Sequence, residues 1–85
     1  MSPKEKTNKD KVLTFERDKD CSQIDIHLND EGLTDLLEIL KNLQSSNKST
    51  HEHLMTPSWA GTELTENKMD KLSLLINKVT IHFWK

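Results

Sequence analysis

Six aliphatic residues, Leu33, Leu36, Leu37, Ile39, Leu40 and Leu43, fall in one stripe when the segment between Asn29 and Ser45 is wound as a helix. At about 100° per residue the stripe is roughly 160° wide, and Thr34, Asp35, Glu38, Lys41 and Asn42 take the opposite side. A stripe of that width is normally packed on the domain's own sheet rather than on a second copy. Asn29 or Asp30 can cap the helix, and Asp30 and Glu31 suit the positive end of its dipole. Gly32 lies in the first turn, where its cost of about 1 kcal/mol in helix propensity does least damage. The polar run from Ser45 to Thr50 ends the helix.

The rest of the chain supplies strands to cover that stripe. Val12 to Arg17 and Ser22 to Asn29 are β-type segments flanking Asp18–Cys21, a hairpin signal. In the second of them Ile24, Ile26 and Leu28 point one way and Gln23, Asp25 and His27 the other. His51 to Thr56 forms a strand with Leu54 inward and His51, His53 and Met55 outward, and Pro57 stops it. Val79 to Trp84 is the last strand, with Val79, Ile81 and Phe83 inward and Thr80, His82 and Trp84 outward. Between them, Met69, Leu72, Leu75 and Ile76 are spaced for a short second helix capped by Thr65, or for a loop that packs only in part. The element order predicts an α+β domain over residues 11–85, in which one amphipathic helix packs on a three- to four-stranded, mostly antiparallel sheet. Residues 1–10 show neither period and are expected to form a frayed tail.

Several function classes are disfavoured at once. No apolar run approaches the roughly 18 residues of a membrane span, and the first residues lack the apolar stretch of a secretory signal. Cys21 is the only cysteine, which suits a reducing, cytoplasmic setting. Lys4, Lys6, Lys9 and Lys11 outweigh Glu5 and Asp10, so residues 12–85 are the acidic part of a chain whose net charge is −2. Nucleic acid calls for a basic face, whereas an acidic surface complements a basic partner.

The strand phases place all four histidines, His27, His51, His53 and His82, on the outward sheet face with Asp25, Met55 and Trp84. Two histidines two apart on a strand share a face and are good zinc ligands, but nothing completes a known ligand spacing, so no metal and no other cofactor is expected. Catalysis is not expected either. Glu52 and His53 point to opposite faces, and the Asp25 and His27 pair has neither a phosphate loop nor a basic cleft beside it. Cys21 lies in a turn between acidic residues, a setting that disfavours a reactive thiolate. The outward face reads either as ordinary strand positions that take polar residues such as histidine, or as a polar and aromatic docking surface. Trp59, beside Ala60 and Gly61, reads first as a plug for the open end of a small core, and second as a binding anchor.

Three stretches carry a likeness: Ile24–Leu33 leading into the leucine helix, His51–Thr65 with Trp59, Gly61, Glu63 and Leu64, and Val79–Trp84. In these the chain resembles the small immunity proteins of bacterial polymorphic-toxin and contact-dependent growth inhibition systems. The resemblance implies a non-catalytic cytoplasmic protein that binds one cognate toxin domain as a monomer in a 1:1 complex and blocks it. It implies a nuclease as the toxin, a ribonuclease first, with Asp25, His27, His51, His53, Trp59, Glu63, His82 and Trp84 as candidate contacts. The competing expectation is a small regulatory or antitoxin-like binding module.

Overall fold

The computed structural model describes residues 11–85, so the tail expected over residues 1–10 lies outside the described residues. In chain order the elements are β1 (Leu13–Arg17), β2 (Ile24–Leu28), α1 (Asp30–Gln44), β3 (Thr50–Met55), a 3-10 turn (Pro57–Trp59), β4 (Leu74–Leu75) and β5 (Lys78–Phe83). The architecture is α+β, as the pattern predicts. The strands divide into two antiparallel sheets, β2-β1-β4 and β3-β5. Only Ile76 and Asn77 separate β4 from β5. Ile76 N–H donates to the Phe15 carbonyl at 2.9 Å, and the Asn77 carbonyl accepts from Thr56 N–H at 3.0 Å. One extended segment therefore serves both sheets.

Local chemistry fixes the hairpin and the helix. The Asp18 carboxylate accepts from the Ser22 hydroxyl at 2.6 Å, from Ser22 N–H at 2.8 Å and from Gln23 N–H at 3.2 Å. These bonds, the Ser22 hydroxyl first, hold its pKa below the ordinary aspartate value. Asn29 Oδ1 accepts from Gly32 N–H at 3.0 Å and from Val12 N–H at 2.9 Å, so a single amide oxygen caps α1 and closes the base of the hairpin. Gly32 is required rather than merely tolerated. A Cβ there would lie 1.8 Å from the Val12 carbonyl oxygen, a close approach that only glycine permits.

The core comprises Leu13, Phe15, Leu54 and Leu64, with Leu36, Ile39, Ile76, Val79 and Ile81 packed against it. Leu43 is buried as well. Period 2 assigns β2 to the correct side of its sheet, because Ile24, Ile26 and Leu28 lie opposite Arg17, Phe15 and Leu13. Burial does not follow, since Ile24 is 62%, Ile26 51% and Leu28 38% exposed. β2 is an edge strand, and the helix leaves its end without covering it. Leu33, Leu37 and Leu40 are also exposed, because the helical stripe is wider than the surface beneath it.

No second helix forms over residues 65–77. The backbone and side chains of this stretch are tied to β1 instead: Thr65 N–H donates to the Leu13 carbonyl at 2.9 Å, and Met69 N–H to Glu16 Oε2 at 2.5 Å. Lys68 Nζ bonds the carbonyls of Lys71 and Ser73 and draws the loop into a local curl. Met69 and Leu72 remain exposed, so their spacing reports no buried face.

Candidate functional site

The β3-β5 register sets His51 opposite His82 and His53 opposite Thr80, so these side chains share the face turned away from the core. Ring centroids lie 4.7 Å apart for His51 and His53, 5.5 Å for His51 and His82, and 6.0 Å for His82 and Trp84, the last pair stacked at 15°. Lys85 N–H donates to Ser49 Oγ at 2.9 Å, which carries the pairing of the two strands one step further and holds Trp84 beside them. Trp84 is 79% exposed. His53 Nδ1 lies 3.0 Å from the Thr80 hydroxyl. Desolvation first, and then the charges of Lys78, His51 and His82, hold the His53 pKa below the ordinary histidine value. Imidazoles grouped beside an exposed indole make an amphipathic contact surface.

An apolar groove of about 550 Å³ adjoins this face, between Leu37, Leu40 and Leu43 of α1 and Ile81 and Phe83 of β5. His82 lines it too, although Ile81 and Phe83 face the opposite side of β5 from the His82 ring. The groove's volume is sufficient for one or two apolar side chains of a bound protein.

The remaining candidates lie elsewhere. Asp25 and His27 belong to the other sheet, so the expectation of four histidines on one face is corrected to three together and one apart. The physical reason is the split into two sheets, each with an outer face of its own. Asp25 accepts from Gln23 Nε2 at 3.1 and 3.2 Å, and His27 Nε2 lies 3.4 Å from Glu16 Oε1. Trp59 is 54% exposed on the 3-10 turn, and the inward position expected for it is held by Leu64, which is buried. Ala60, at φ 67°, turns the chain after Trp59, and Gly61 lies against Met55, where a Cβ would come within 2.4 Å of the Met55 carbonyl oxygen. Glu63 Oε1 accepts from Met55 N–H at 3.1 Å, so this side chain fastens the loop to β3.

Sequence reasoning missed the polar residues that close the outer face of the first sheet. Thr14 and Glu16 are buried, and the Thr14 hydroxyl lies 2.7 Å from that of Thr65. Lys11 is buried too, its ammonium donating to Asp35 at 2.8 Å and to the carbonyls of Glu63 at 3.0 Å and Thr62 at 3.3 Å. Alternation in Leu13-Thr-Phe-Glu16 assigns these polar residues to the non-core face, but nothing local announces the distant loop that covers them. Among the described residues, no group of three or more His, Cys, Asp or Glu side chains is arranged to hold a metal ion. No helix among them is long and apolar enough to cross a membrane.

Residues 23–79, about two-thirds of the chain, match the family model described as Immunity protein 32. The chain belongs to the Immunity protein 32 family. Its partner is accordingly a toxin, which an immunity protein neutralises by binding; such proteins are in general not catalysts. The Immunity protein 32 match runs from β2 through α1 and β3 to the start of β5, leaving β1, His82 and Trp84 outside the matched range. No curated protein gives a significant match, and neither does any solved structure.

Proposed function

We propose that this Immunity protein 32 chain protects a bacterial cytoplasm from the toxin of a polymorphic-toxin or contact-dependent growth inhibition system. The toxin domain docks on the His51, His53, His82 and Trp84 face, one toxin per chain, and the groove beside His82 receives an apolar side chain from it. The observation that carries the reading is Trp84, an exposed indole stacked on His82, a residue that also lines an apolar groove. Tryptophan is among the residues most enriched at the energetic centres of interfaces, and a solvated tryptophan has no role in a core.

The toxin is a nuclease in this proposal, with a ribonuclease favoured, and the chain occludes its substrate groove. A groove that binds nucleic acid is basic, and the acidic balance of residues 12–85 complements it and speeds encounter. Trp59 supplies a second anchor, since it is half exposed on its turn. Asp25, His27 and Glu63 are the outer members of the proposed contact set. Each is already engaged within the chain, so each contributes less than Trp84.

The test is co-production with the toxin encoded beside the chain's own gene. The wild-type chain restores growth and forms an isolable complex, while Trp84→Ala weakens binding by about 30-fold or more without lowering the melting temperature. A toxin that stays fully active in the presence of the wild-type chain would refute the reading.

A further inference from the structure

The outer edge of β2 carries no partner strand among the described residues, where β2 pairs with β1 alone. Asp18 N–H donates to the Gln23 carbonyl and Asn29 N–H to the Val12 carbonyl, each at 3.2 Å and both in the β1-β2 register. The odd-numbered residues of β2 therefore turn their backbone groups to β1, and alternation turns those of Ile24, Ile26 and Leu28 to the open edge. Soluble proteins usually blunt such an edge with lysine, proline or a bulge. Ile24-Asp-Ile-His-Leu28 has none of these and leaves its three aliphatic side chains 62%, 51% and 38% exposed.

The segment is also self-complementary. In an antiparallel pairing about a two-fold axis at Ile26, Ile26 meets Ile26 of the second copy, Ile24 meets Leu28, and Asp25 meets His27. Asp25 and His27 lie on the opposite face from the aliphatic residues, so each cross-strand pair is like with like or acid with imidazole. A one-residue slip would destroy all three matches at once.

We infer that two copies of this chain associate through β2, forming a continuous sheet across a two-fold axis at Ile26, with Asp25 of each copy facing His27 of the other. The pairing satisfies about six main-chain hydrogen bonds at the open edges and places the exposed aliphatic rows side by side. It leaves the His51, His53, His82 and Trp84 face unobstructed by β2, because that face belongs to the other sheet, while Asp25 and His27, outer members of the proposed toxin contact set, are shared with the second copy. The inference does not rest on the identity of the toxin, and growth protection and self-association are read separately.

Sedimentation equilibrium of the full chain tests it. The expected result is a species of twice 9.9 kDa that dissociates on dilution. Ile26→Lys, which sets two ammonium groups opposite each other at the axis, should weaken self-association by at least 100-fold and leave the far-ultraviolet circular dichroism unchanged. Should that variant fail to fold, the pair Cys21→Ser with Ile26→Cys keeps the question open to measurement. Mild oxidation should then give a disulfide-linked dimer, whereas Cys21→Ser with Ile24→Cys should give none. A wild-type chain that stays monomeric at high concentration overturns the inference, even if Ile26→Lys abolishes toxin binding, in which case the edge belongs to the toxin. Dimers that persist in folded Ile26→Lys, or equal cross-linking at positions 24 and 26, overturn it as well.

Discussion

The two sheets treat their outer faces in opposite ways. On β2-β1-β4, the polar residues Thr14 and Glu16 are buried beneath the loop that carries Thr65, Asn67 and Met69, and Thr14 Oγ1 and Glu16 Oε2 bond to it. On β3-β5, the corresponding positions hold His51, His53 and His82, all exposed, with Trp84 beyond them. Alternation alone predicts the same outcome for both. The difference is a matter of tertiary cover: one outer face is sealed by a segment some fifty residues away in sequence, and the other is left to a partner. A sealed polar face stabilises the fold, and an open aromatic face is available for binding.

The comparison is open to attack at its strongest point first. Glu16→Ala should cost about 3 kcal/mol in urea denaturation, because it strips the Met69 N–H of its acceptor and leaves His27 without its acidic neighbour. A loss under about 0.5 kcal/mol would mean that the loop does not seal the first sheet. Thr14→Val should cost less, about 1 to 2 kcal/mol, since it removes one buried hydroxyl pair and keeps the shape. Limited proteolysis of that variant should cut first within residues 65–73.

On the open face the expected effects on stability are smaller. Trp84→Ala and Trp59→Ala should each shift stability by less than about 1 kcal/mol, against the roughly 3 to 5 kcal/mol of a tryptophan removed from a core. A large loss for Trp59→Ala would restore it to the core and erase part of the contrast. The smallest effect belongs to His53. Its pKa in the folded chain lies below the unfolded value of about 6.5, so the unfolded state binds more protons as the pH drops. The stability linked to neutral His53 is complete above about pH 6.5 and is lost as the pH falls toward the folded pKa. His53→Gln should therefore flatten the decline in urea midpoint between pH 7.5 and 5.5, and the folded imidazole should titrate below 6.5 by NMR.

Local signals were sufficient wherever the chain's own period or a cap decided the outcome. The stripe of α1, the cap at Asn29 or Asp30, the hairpin about Asp18 and the phases of β2, β3 and β5 were legible because each depends on neighbours a few residues away. Coverage was not legible. Period 2 states which side Ile26 faces and says nothing of whether a helix lies above it. The same limit explains Trp59, whose expected place was taken by Leu64, and the spacing of Met69 and Leu72, which the bonds to Glu16 override. Gly32 shows a cost in propensity that a close approach to Val12 makes necessary. The histidine and tryptophan face was readable for β3 and β5 together, whereas separating His27 from it required knowledge of the strand order.

The segment Leu74–Phe83, which belongs to both sheets, makes the molecule hard to open in parts. To free β5 from β3 at Asn77 is to pull on Ile76, and Ile76 is bonded to Phe15 in the middle of β1. The shared segment couples the two sheets, and a ligand on either one should slow amide exchange in the other. A toxin seated on the histidine face would in this way guard the Ile76 amide, bonded to the Phe15 carbonyl, from solvent, although it never touches it.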